Sequence, residues 1–198
     1  MTEATSPPTV PLLPVRDLQA EAFAAVAQAA DHRELLSTER FAALLLLAGR
    51  LDGPALLFDA WFGEVIEVGT LAGHIGRVWS MAEYPDAALD RPLWRQLFSA
   101  AGFTVDGRPA KRPDGPVELW RGSVPERRTD WSWTTRQAVA QGYAAGTGAR
   151  RPSTGRMFRT LAPPTALLAH NRGRDEDEYV IDTDGLEITE VPLTVGPA

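Results

Sequence analysis

Three short segments carry residue types that could do chemistry together. The first is Arg174-Asp175-Glu176-Asp177-Glu178-Tyr179-Val180-Ile181-Asp182, an acidic cluster running into a β-branched, strand-like stretch. Glu176 and Glu178 are two apart, the spacing of residues that share a strand face. Two carboxylates on one face push their pKa values apart, or else hold a cationic group between them. Asp175 and Asp177 would point the other way and suit a solvated turn. The second segment is Leu119-Trp120-Arg121-Gly122. A guanidinium ending an apolar strand needs an anion, and its rigid fork suits phosphate or carboxylate. Glu118 or Glu126 could supply that anion from within the chain, and Gly122 would let a ligand approach the backbone closely. The third is Trp131-Ser132-Trp133-Thr134-Thr135. Strand alternation there puts both tryptophans on one face and the hydroxyls of Ser132 and Thr134 on the other.

These segments need a scaffold, and the hydrophobic pattern divides it in two. Residues 1–15 are polar and proline-rich and read as a flexible arm. Residues 16–106 read as a helical lobe. Leu18, Ala22, Phe23, Val26 and Ala29 recur at helical spacing. Leu35, Leu36, Phe41, Leu44, Leu45 and Ala48 form a second run, capped near Ser37 or Thr38 and ending at Gly49 or Gly53. Leu56–Met81 is apolar almost all round, as expected of one buried helix broken by Tyr84-Pro85-Asp86. Ala87–Ala101 is a further helix closed by Gly102. Asp106–Pro116, rich in glycine and proline, is the best internal boundary.

From residue 107 to 198 the pattern becomes strand-like. Strands are expected at Val117–Arg121, Trp131–Thr134, Met157–Leu161, Ala166–His170, Glu178–Asp182 and Leu186–Val191. One helix, Thr135–Ala145, interrupts them, with Thr134 and Gln137 spaced for a capping box. Asp184-Gly185 signals a hairpin between the last two strands. The class is α+β: helices first, then a mainly antiparallel β half.

An arginine strand, then an aromatic-Ser-x-Thr strand leading into a helix, then Glu-x-Glu opening a later strand, resembles the Arg-Ser-Glu class of mono-ADP-ribosyltransferases. The resemblance covers residues 117–191. It implies a split β-sandwich of the ADP-ribosyltransferase type behind a helical lobe, with NAD as a consumed substrate. By the same resemblance Arg121 holds the phosphate and nicotinamide-ribose side of NAD, and the Gly122 backbone binds the nicotinamide carboxamide. Ser132 positions the ribose and the catalytic glutamate, and Thr134 is the third residue of the Ser-Thr-Ser motif, whose middle is here Trp133. Glu178 is the catalytic glutamate, and Glu176 faces the acceptor, with arginine as the side chain that such a residue is associated with. An aromatic ring should cover the nicotinamide, and Tyr143 and Phe158 are the candidates. The acceptor is expected to be a macromolecule, most simply a protein, with the enzyme acting as a toxin, effector or modifier. Two alternatives stand beside this: an NAD glycohydrolase, and an inactive protein-binding module of the same fold.

Composition narrows the field. The chain has 198 residues, 44% hydrophobic and 23% charged, which suits a globular protein able to bury a core. A net charge of −6 offers no global field to nucleic acid. There is no cysteine, which removes disulfides, thiolate metal sites and cysteine nucleophiles. His32, His74 and His170 have no metal-ligand spacing, so no metal is expected; His170 lies beside the proposed acceptor loop. The start lacks the pattern of a secretory signal, and the apolar run Phe41–Ala48 is far short of the roughly 20 residues that span a bilayer. These features suggest a cytoplasmic setting without membrane contact.

Overall fold

The computed structural model describes residues 17–82, 84–146, 155–173 and 175–193. The expected arm 1–15 and Arg174 lie outside the described residues. Among the described residues six α-helices and eight strands build an α+β fold. The first helix, α1, is Leu18–His32, and Asp17 caps it by accepting the Ala20 N–H at 3.0 Å. Its buried residues Ala22, Val26 and Ala29 repeat at helical spacing.

The second helix, α2, runs Thr38–Phe62, with Ser37 as its N-cap. Gly49 breaks it, at φ 70° and ψ −169°. Straight, a 25-residue helix would be about 37 Å long. Yet the Leu36 N–H reaches the Val65 carbonyl at 2.8 Å, although these residues flank opposite ends of α2. The few residues between them and the helix ends span at most about 18 Å. The helix therefore folds back at Gly49, and a Cβ built on Gly53 lies 4.0 Å from Leu45 Cδ2 on the other arm. By length and composition α2 is the one described helix that could cross a membrane. Folded back, neither arm reaches the roughly 20 residues of a span, and both bury residues such as Phe41, Ala48, Leu56 and Leu57 in the core. Leu46 and Leu51 beside the turn stay 70% and 62% exposed.

The expected single helix over Leu56–Met81 is divided. The chain leaves α2 at Gly63, passes Glu64 at φ 57°, and begins α3 at Val68–Met81. Nor is the segment buried all round, since Phe62, Val68 and Met81 are exposed. A short α4, Pro85–Ala88, precedes α5, Arg91–Ala101, which buries Trp94, Leu97 and Phe98.

The strands are β1 (Thr104–Val105), β2 (Arg108–Pro109), β3 (Val117–Ser123) and β4 (Ser132–Thr134), then β5 (Arg156–Ala162), β6 (Leu167–Asn171), β7 (Glu178–Ile181) and β8 (Thr189–Val191); α6 is Gln137–Ala145. Their order is β2-β1-β6-β7-β4-β3-β5-β8, one hydrogen-bonded series rather than two separate sheets. β1 pairs parallel with β6 and the remaining pairings are antiparallel. The expected Asp184-Gly185 hairpin does not form, because β8 pairs with β5 while β7 lies between β6 and β4. Asp106–Pro116 is docked rather than loose: Gly107 packs on the Gly73 backbone of α3, and the Arg112 guanidinium donates to the Leu167 carbonyl at 2.9 Å.

One core spans both halves. Trp131, Ala169 and Val180 from the sheet join the helical residues Trp79, Trp94 and Phe98. On the sheet's opposite face Leu119, Trp133, Phe158, Tyr179 and Ile181 form a second cluster. The two tryptophans around Ser132 therefore do not share a face. Trp131 sits just ahead of β4, where strand alternation no longer applies.

Gly49 gives a clean test of the turn in α2. A Cβ there meets nothing within 4 Å, so a side chain would cost only backbone strain. Gly49→Ala should lower stability by about 1–3 kcal/mol, read as a lower urea midpoint; an unchanged midpoint would mean this conformation does not set the fold-back.

Candidate active site

A cleft of about 400 Å³ opens where α3 and α6 meet the strands β3 and β4 and the start of β7. That volume lies within the range of about 300–1,000 Å³ usual for small-molecule sites. Arg121, Gly122, Ser132, Thr134, Tyr143, Glu176 and Glu178 all line it. Phe158 does not: it is 2% exposed and packed in the core on the other face of the sheet, where it cannot cover a ligand.

β3 and β4 are in register at Trp120 and Thr134 alone. Beyond that pair the Arg121 guanidinium takes the Ser132 carbonyl at 2.6 Å. It also donates to the Arg127 carbonyl at 3.0 Å and to Asp130 at 2.9 Å. Asp130, rather than Glu118 or Glu126, is thus its anionic partner, and Glu118 pairs with Arg159 instead. Burial pushes the Arg121 pKa down to about 10 against the opposing pull of Asp130, so the group is charged at neutral pH. Arg127 and Arg91 converge on the same Asp130 carboxylate, at 2.7 and 3.6 Å.

Gly122 is required for a different reason from the one its sequence context suggests. A Cβ there would lie 1.9 Å from the Ala140 carbonyl oxygen and 2.5 Å from the Ala144 nitrogen. The close approach is made by α6, whose backbone rests on β3.

Ser132 and Glu178 are not bonded to each other. The Ser132 hydroxyl accepts the Trp79 indole N–H at 3.0 Å. One Glu178 carboxylate oxygen instead accepts from the Ser80 hydroxyl and from the Asn171 amide, the latter at 3.2 Å. Trp79, Ser80 and Asn171 were invisible as site residues in the sequence.

The acidic run is a built turn rather than a solvated one. Asp175 and Asp177 have φ of 53° and 47°, so Glu176 and Glu178 reach the cleft without sharing a strand. The Thr134 hydroxyl donates to the Glu176 carbonyl at 2.5 Å and accepts the Arg136 N–H at 3.0 Å. The expected capping box is absent, since α6 is capped at Arg136 without a side-chain bond. The Tyr143 hydroxyl donates to the Glu176 carboxylate. Asp177 accepts from the Thr135 hydroxyl and pairs with His170 at 2.7 Å, while the His170 ring stacks on Tyr179. His170 therefore fixes the loop. Among the described residues no group of three or more His, Asp or Glu side chains could hold a metal ion.

Burial pushes the Asp177 carboxyl up, but the bonds from Thr135 and His170 outweigh it and hold the group below its ordinary value. A depressed carboxylate contributes stability above its unfolded pKa and loses it as pH falls through the folded one. Asp177→Asn should therefore cost about 1 kcal/mol at neutral pH, with the difference from wild type shrinking below about pH 4. Asparagine tolerates the positive φ, so the backbone is not strained by the change. Denaturant melts across pH read this, and a gap that persists unchanged at pH 3 would refute the role given to the charge.

Comparisons of the chain with protein-family models, with curated proteins and with solved structures return no match, so the site's chemistry has to be argued from its own geometry.

Proposed function

We propose that the protein is a mono-ADP-ribosyltransferase of the Arg-Ser-Glu type, consuming NAD to modify a macromolecule inside a cell. The observation that carries the reading is the meeting of Arg121, Ser132, Glu176 and Glu178, drawn from three separated segments, in one cleft. In the proposed reaction the bond between nicotinamide and ribose breaks and nicotinamide leaves with the electron pair. The ribose carbon becomes oxocarbenium-like, and an anionic Glu178 stabilises that charge. An acceptor nucleophile then bonds to the same carbon and loses a proton.

Each residue has a part in this scheme. Glu176, steadied by Tyr143 and Thr134, stands on the acceptor side, where a guanidinium acceptor would suit its charge. Tyr143 offers the ring at the nicotinamide end. A guanidinium has five N–H donors, and three from Arg121 already hold Arg127, Ser132 and Asp130. The diphosphate of NAD therefore falls to its two remaining donors and to Arg127, which is 48% exposed and also lines the cleft. A macromolecular acceptor accords with the exposed leucines beside Arg50, a residue that lines the cleft.

The test is nicotinamide release from NAD by the purified protein. Wild type should release it, and Glu178→Gln should slow release about 100-fold or more. No release by wild type removes the reading, and an unchanged rate in the variant removes Glu178 from the mechanism. Product analysis separates transfer from hydrolysis: free ADP-ribose without a modified macromolecule makes the protein an NAD glycohydrolase.

A further inference from the structure

We infer that Ser80 and Asn171 are the positioning residues that hold the Glu178 carboxylate in one orientation, the task that the resemblance assigns to Ser132. The kinetic consequence rests on the transferase reading; the geometry does not. Glu178 opens β7, and its Oε2 atom accepts from both the Ser80 hydroxyl and Asn171 Nδ2. Asn171 Nδ2 also donates to Ser80 Oγ at 2.8 Å and to the Gly76 carbonyl at 3.2 Å. A serine hydroxyl has one proton and two lone pairs. Spending the proton on Glu178 leaves the oxygen to accept from Asn171, whose two amide protons serve three acceptors, so one N–H is shared between Ser80 and Glu178. One carboxylate oxygen is held from the protein side, and Oε1 is left for a ligand.

The helix is shaped for this. Gly76 and Ser80 are one turn apart and lie on the same face of α3. A Cβ at Gly76 would lie 2.6 Å from Asn171 Oδ1, so the glycine makes the room in which Asn171 sits. The Ser132 hydroxyl accepts from Trp79 and makes no bond to Glu178. The preceding helix thus supplies the catalytic strand with its orienting hydroxyl.

Full-length variants, each checked for fold by circular dichroism, are compared in nicotinamide release across NAD concentrations. Ser80→Ala should lower kcat about 10- to 100-fold, since a misplacement on the order of 1 Å costs about 100-fold. KM should change less than about threefold, as expected when a transition-state contact is lost. Ser80→Thr, which keeps the hydroxyl, should restore most of kcat. An unchanged kcat in Ser80→Ala, a rise in KM that accounts for the loss, or failure of Ser80→Thr to rescue would overturn the assignment. Should Ser80→Ala not fold, Asn171→Ser is read by the same criteria. A second readout needs no turnover: carbodiimide labelling of Glu178, followed by mass spectrometry. Faster labelling in the folded alanine variant supports the clamp, and equal rates overturn it. If wild type neither binds NAD nor releases nicotinamide, the transferase reading falls and the labelling rates alone decide the clamp.

Discussion

The docking of α3 onto the sheet at Trp79 is the interaction on which the rest depends. The Trp79 ring stacks on Trp131 with centroids 5.4 Å apart and meets Trp94 edge-on at 5.1 Å. Its indole N–H, which would be costly to bury unpaired, is taken by Ser132. A single side chain therefore ties the helical core to β4 and fixes the rotation of α3 about its axis. That rotation decides where the next residue, Ser80, points. A different angle would still bury apolar area, because hydrophobic burial is non-directional. Hydrogen bonding supplies the direction that packing lacks.

A second set of contacts stiffens the same junction from the other side. Arg95 of α5 grips Asp182 at the end of β7 with two donors, at 2.5 and 2.9 Å, and also meets Asp184. The Arg95 and Arg91 guanidinium groups lie 5.4 and 5.8 Å from the Trp131 ring, within cation–π reach. The pairing holds the Asp182 carboxyl below its ordinary value, through the hydrogen bond from Arg95 first of all. β7 is thus anchored at both ends by helices of the preceding lobe: Ser80 at Glu178 and Arg95 at Asp182. The lobe is part of the site's frame.

How much of this was legible in the sequence depended on whether a signal was local. Helical spacing marked α1 and α5, and short apolar or β-branched runs between turn signals marked β3, β5, β6 and β7, because both are properties of neighbours in the chain. The candidates Arg121, Ser132, Glu176 and Glu178 are brought together. Phe158 is not: it lies directly across from Arg121 on β5, but its ring is sealed in the core with Leu119, Trp133 and Tyr179. The fold-back at Gly49 looked like a helix end, which locally it is, but nothing local said that the next arm would return. Pairing of β8 with β5 overrode the Asp184-Gly185 hairpin signal, since the choice of strand partner is a long-range matter. Asn171 and Ser80 could not have been singled out, because their role exists only once residues 91 positions apart are in contact.

The strand order has a consequence for how the protein is made. β7 lies between β6 and β4 near the middle of the sheet, yet it follows both of these neighbours in sequence. Translation delivers the chain from its N-terminus, and early segments can fold as they emerge. Until residues 178–181 leave the ribosome, β4 and β6 each lack a neighbour, and the sheet has a gap at its centre. Open strand edges of that kind invite wrong partners, so the growing chain passes through a vulnerable stage. The same gap is the place where the carboxylate belongs, and a nascent chain carries the frame of the site without its acid. Whatever chemistry the cleft performs begins only after residues 178–181 have emerged and paired with β4 and β6.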